Sequence, residues 1–225
     1  IRTHTFYNVD GKVEHAGTGA FTMTVADALL GQRGRIITNS GLSLDAGKLD
    51  HRDAVMSAQQ IGIKSVALDN RGGSISQTGS GQASLLATQS LDNRAGNIEL
   101  GGDAAIATSL LLNAQGRITS TQSIGIQAGA ELNNRAGIVA SGQNLTLEAA
   151  NIDNAGGTLQ AFAGQANLQF AYLNNTAGSI FGGSNAHLQG SNAYSSGSVY
   201  AVGNLALNLG GKLTNTGVIA AHGNN

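Results

Sequence analysis

The 225-residue chain contains no proline and no cysteine, and only 11% of it is charged. Proline would remove a backbone donor, so its absence leaves every residue free to join a hydrogen-bonded ladder. The lack of cysteine excludes a disulfide framework. It fits a reducing cytosol, and equally an exported chain that threads a narrow pore unfolded. Lys plus Arg number 12 against 13 Asp plus Glu, a net charge of −1. With no Lys/Arg cluster, that balance is wrong for a phosphate-binding surface, and nucleic acid is not expected as a partner. Apolar runs are short, Leu110-Leu111-Leu112 being typical, far below the roughly 18 residues that span a bilayer. The first residues, Ile1-Arg2-Thr3-His4, lack the order of a secretory signal.

What the chain does contain is 33 glycines and a repeat. Variants of Leu91-Asp92-Asn93-Arg94-Ala95-Gly96-Asn97-Ile98 return along its whole length. The glycine position of each variant falls at Gly11, Gly34, Ala54, Gly73, Gly96, Gly116, Gly137, Gly157, Gly178, Gly197 and Gly217, with spacings of 19–23 residues. Two residues after each stands an apolar side chain: Val13, Ile36, Met56, Ile75, Ile98, Ile118, Val139, Leu159, Ile180, Val199 and Ile219. A period near twenty is too short for two-helix solenoid units, and Gly, Asn, Ser and Ile are poor helix formers. Each repeat is therefore expected to be one coil of a parallel β-helix, with equivalent residues stacked about 4.8 Å apart.

A second column lies three residues before the glycine: Asn8, Asn70, Asn93, Asn113, Asn134, Asn154 and Asn175. Each has an apolar residue two positions earlier, giving apolar-x-Asn-x-x-Gly-x-apolar. The spacing predicts an inward amide ladder at a corner, with the glycine supplying the positive φ of a tight turn. The pattern breaks at Gly31, at His51 and in the penultimate coil, Ala193-Tyr194-Ser195-Ser196-Gly197, and Asn215 sits one residue nearer its glycine. Downstream, alternating pairs such as Leu42 and Leu44, Ile61 and Ile63, Ile124 and Ile126, Leu145 and Leu147, and Leu168 and Phe170 predict a strand with one buried face. The expectation is all-β: a single right-handed parallel β-helix over residues 1–225, of about ten to eleven coils and roughly 50 Å long. Because the repeat is already running at Phe6 and still running at Gly217, the chain reads as a piece of a longer fibre.

The recurrent Leu-Asp-Asn-Arg-Ala-Gly and Leu-Asn-Asn-Arg-Ala-Gly units, followed by apolar-x-Ala/Ser-x-Gly and a Leu-x-Leu strand (best in Leu132 to Leu147), resemble the haemagglutinin repeats of filamentous haemagglutinins. The same repeats occur in exoproteins of contact-dependent growth inhibition. The resemblance implies a Gram-negative surface fibre, exported through an outer-membrane two-partner secretion transporter. It implies a shaft that holds a tip or toxin away from the cell. The family's amino-terminal secretion domain, with its Asn-Pro motifs, is missing, as is any recognisable toxin.

Enzyme chemistry is weakly signalled. Asp50, Asp69 and Asp92 share a column, as acidic residues do in β-helical polysaccharide lyases, but Arg52, Arg71 and Arg94 follow two residues on. Charge-balanced ladders explain both columns without catalysis. The histidines, His4, His15, His51, His187 and His222, are too scattered for a metal site. The Gly-Lys pairs lack the Ser or Thr of a phosphate loop, and no Gly-x-Ser-x-Gly elbow occurs. No catalytic residue, metal or cofactor is expected. Of nine Phe and Tyr residues, six lie between Phe162 and Tyr200. Parity points Phe181 and Tyr200 outward, with Phe162 two residues further along its own strand. These three form a candidate surface for a sugar ring or a host or bacterial receptor. The other reading is an aromatic ladder that stiffens the sheet.

Overall fold

A computed structural model describes residues 1–223. The described residues form 23 strands and no helix, and every strand pairing is parallel. Each coil contributes one long strand, such as Ala83–Asp92 or Ala104–Leu112, and one short strand, such as Asn97–Leu100 or Arg117–Ser120. The long strands stack into a 12-stranded sheet and the short ones into an 11-stranded sheet, each in chain order. This is a β-solenoid of about eleven turns.

The registers follow the sequence columns. Ile75, Ile98, Ile118, Val139, Leu159, Ile180 and Val199 are consecutive partners across the short strands. Leu68, Leu91, Leu111, Leu132, Ile152 and Leu173 are partners across the long ones. All are essentially inaccessible to solvent. Burying each such side chain contributes about 1.5–3 kcal/mol, and the columns meet along the axis to form one aliphatic core. In six of the ten pairings between long strands the register shifts partway along, as at Thr108/Leu110, the mark of a bulge.

Two local expectations are corrected. Phe170 does not share a column with the second members of the other alternating pairs. It partners Ala149 and Gly190, in a column that holds Ala46, Ser65, Ala87, Thr108 and Ala128 before them and has Val25 and Leu209 at its ends. Its ring is buried because Gly190 has no side chain: a Cβ there would overlap ring atoms Cδ2 and Cε2. Phe162, in turn, lies beyond the strand Thr158–Ala161 rather than on it. Its N–H donates to the Ser141 carbonyl just as that of Gly183 donates to Ala161, so it occupies a corner.

Candidate functional site: corner ladders and the aromatic row

The corner after each long strand is built around its asparagine. Asn70, Asn93, Asn113, Asn134, Asn154 and Asn175 are fully buried. The Nδ2 of each donates to the Oδ1 of the next coil's asparagine, at 2.7–2.8 Å from Asn70 to Asn175. The Nδ2 groups of Asn93, Asn113, Asn134, Asn154 and Asn175 also reach the carbonyl of the residue after the next coil's glycine, for example Arg117 from Asn93 at 3.1 Å. Ser195 ends the run by presenting its Oγ to Asn175 at 3.1 Å. Asn8 bonds Arg35 O in the same way. Asn215, which partners Ser195, is exposed and caps its own turn through Gly217.

The glycines serve a different purpose from the one their spacing suggests. Positive φ falls one residue earlier, at Asp10, Arg33, Asp53, Gly72, Ala95, Gln115, Ala136, Gly156 and Ala177. The repeat glycines have no Cβ because the coil before presses on them. A Cβ on Gly96, Gly116, Gly137, Gly157 or Gly178 would fall inside the contact distance of the preceding coil's asparagine carbonyl, and 2.5–2.7 Å from the amide oxygen of its own coil's asparagine. Steric contact between coils, and not backbone freedom, reserves these positions for glycine.

Outside this corner runs the charged column. Arg52, Arg71 and Arg94 each grip the aspartate two residues earlier with Nε and Nη2, at 2.6–2.9 Å. Arg52 and Arg71 also approach the next coil's Asp69 and Asp92 at 3.7 and 3.6 Å. Burial alone would raise the Asp50 carboxyl, yet hydrogen bonds from Arg52 and Gln32 and the Arg52 charge hold it below the usual range. Both oxygens of Asp50, Asp69 and Asp92 accept hydrogen bonds from the arginine two residues on. Among the described residues no group of three or more His, Asp or Glu is placed to hold a metal ion.

On the outer face of the short-strand sheet, Phe181 partners Tyr200. Their rings stack with centroids 5.8 Å apart and planes within 10°, and His222 meets Tyr200 edge-on at 5.6 Å. Both rings are half-buried, beside inward-facing Ile180 and Val199. Phe162 stands apart at the corner, 71% exposed. The stack brings two of the three aromatics together and turns a face of each toward the other.

A further polar column was not singled out from the sequence. Thr38, Gln77, Ser120 and Ser141 end short strands and are buried. They bind the turn that follows or an adjoining coil: Gln77 Nε2 donates to Gly79 O and Gly81 O, and its Oε1 accepts from Ile61 N. Ser141 Oγ donates to Gln143 O, and Ser120 Oγ to Gly102 O. The available signal is parity: each stands two residues after an inward Ile or Val, and so faces the interior.

A family model described as the haemagglutinin repeat matches the chain in four overlapping stretches, residues 16–95, 78–130, 103–164 and 161–225. Comparison with curated proteins and with solved structures gives no match.

Proposed function

Because the chain belongs to the haemagglutinin-repeat family, we propose that it is a shaft segment of a filamentous haemagglutinin-like adhesin or growth-inhibition exoprotein. The parent chain passes an outer-membrane two-partner secretion transporter and is displayed at the bacterial surface, where the shaft carries a tip or toxin outward. The observation that carries this reading is the continuity of the two sheets over every coil, pinned at one corner by buried amides. Such stacking supports a stiff rod whose length is set by coil number, roughly 4.8 Å per coil. The corner side chains hold coils together: buried amides face amides of the next coil, and Arg52 and Arg71 reach the next coil's Asp69 and Asp92 as well as their own aspartates.

A second reading, that the segment itself adheres to a receptor or glycan, is favoured by one observation. Phe162 is largely exposed, and Val202, 47% exposed, stands at the same kind of corner near the Phe181–Tyr200 stack. The two readings separate in the parent exoprotein carrying Phe162→Ser, Phe181→Ser and Tyr200→Ser. With the shaft reading, export and attachment to target cells are unchanged. Loss of attachment with normal export and a melt lowered by no more than the loss of one aromatic stack overturns it in favour of adhesion.

A further inference from the structure

The asparagine ladder has one defect of unusual composition. Gly31 leaves its slot without a side chain, and the next coil fills the slot with His51, which is 1% exposed. The imidazole takes over part of the amide's work: Nε2 lies 3.2 Å from Ser74 O, the carbonyl equivalent to the one Asn93 reaches at Arg117. An acceptor there requires the proton on Nε2. The other part of the work is not done. Asn70 Oδ1, which in the regular ladder would accept from the preceding asparagine, is buried with no partner. Ala54 stands where the other coils to Gly178 have glycine. The two departures fit each other in one respect: of the two atoms a Cβ would strike in the regular coils, the amide oxygen of the coil's own asparagine is absent when that residue is histidine.

His51 is also the one buried titratable side chain among the described residues. The charged groups on the elements packed against it are Asp50, Arg52 and Asp53 of its own turn, Arg33 and Arg35 of the coil before, and Asp69 and Arg71 of the coil after. Arg52 and Arg71 hold Asp50 and Asp69 in ion pairs; the bond to Ser74 and, among the charges, that of Asp50 favour the imidazolium.

We propose that the coil carrying His51 is an acid-sensitive seam: protonation of an imidazole held in a slot for a neutral amide opens the rod locally, between Gly31 and Ser74, while the asparagine-laddered coils beyond it stay closed. Burial pushes the closed-state imidazole down to about 4, outweighing its bond to Ser74 and the Asp50 charge. The open coil takes up its proton near 6.5. The open form therefore binds more protons than the closed form at any pH between these values, and closure weakens as pH falls through that window.

Amide hydrogen exchange on the whole chain, corrected for intrinsic rates, tests this. Protection at His51, Ala54 and Ser74 is expected to fall about 20-fold from pH 7 to pH 5, the factor set by those two proton affinities. Protection at Asn113, Gly116 and Ile138 is expected to change less than about twofold. His51→Asn combined with Ala54→Gly restores the motif and should abolish the pH dependence. Equal loss at both coils, or loss that persists in the double variant, overturns the seam. If the double variant does not fold, nuclear magnetic resonance titration of the wild-type imidazole decides. A midpoint well below 6.5, with protection already falling at pH values above it, supports the seam, and an ordinary midpoint with no such loss overturns it.

Discussion

Adjacent residues in the corner have opposite requirements. Ala95 sits at φ 53°, a conformation costing an L-residue about 1–2 kcal/mol. Gly96, next to it, is in ordinary backbone but pressed by Asn70 O. Ala95→Gly is expected to raise stability by about 0.5–1 kcal/mol, the strain relief less the entropy a new glycine adds to the unfolded chain. Gly96→Ala should lower stability by about 2 kcal/mol or more, because a backbone carbonyl cannot swing aside as a side chain can. Denaturant melts of the two variants give the signs; if Gly96→Ala proves the milder change, the steric account fails. The amide and carboxylate columns differ in the same direct way. Asn134→Leu strands Asn154 Oδ1 and Thr158 O, and at about 1–3 kcal/mol for each buried unpaired group the loss should be about 2–6 kcal/mol. Asp92→Asn affects an ion pair whose arginine is half in water, and should cost less than about 1 kcal/mol. Equal losses would argue for a further role of the aspartates.

At the scale of the strand, neighbouring coils must share out volume. Gly190 yields its space to the Phe170 ring of the coil before. Gly190→Ala is therefore expected to cost about 1–3 kcal/mol through overpacking. In a Phe170→Ala background the same substitution should cost much less, since the ring that fills the space over Gly190 is gone, and the coupling in a double-mutant cycle measures the contact. Additive effects would show that the Phe170 backbone carbonyl, which also crowds this position, dominates. The Phe181–Tyr200 stack works across strands differently, as a half-exposed contact. Replacing both rings with Ser should lower stability by only about 0.5–1.5 kcal/mol. Ile180→Ala, at a site with no solvent access, should cost about 2–5 kcal/mol.

For the whole molecule, a coil is a removable unit only if cut in register. Asn97 partners Arg117, so deletion of residues 97–116 joins Gly96 to Arg117 and lets each ladder close on the coil beyond. The shortened chain is expected to fold, with a cooperative melt and a rod shorter by roughly 5 Å in solution scattering. Deleting residues 97–106 instead removes a short strand and its turn, brings a long-strand remnant against short-strand neighbours, and should abolish the cooperative transition. If both deletions fold equally well, the columns do not specify the register.

The sequence by itself determined the repeat period, the inward aliphatic columns and the parallel stacking. Each rests on residues at a fixed interval, and alternation along a strand assigns a face without knowledge of any neighbour. Leu91 and Ile98 carry that information alone. Which residue takes the strained backbone, and why glycine follows it, was decided only in three dimensions. The pressure on Gly96 comes from Asn70, 26 residues earlier, through a carbonyl that no local pattern reveals. The same holds for Phe170, whose place depends on the absence of a side chain at Gly190, and for Phe162, which leaves its strand because the corner comes at Ala161. His51 combines the two levels. Its place outside the motif is visible in the sequence, but its burial, its bond to Ser74 and the orphaned oxygen of Asn70 follow from coils closing on one another.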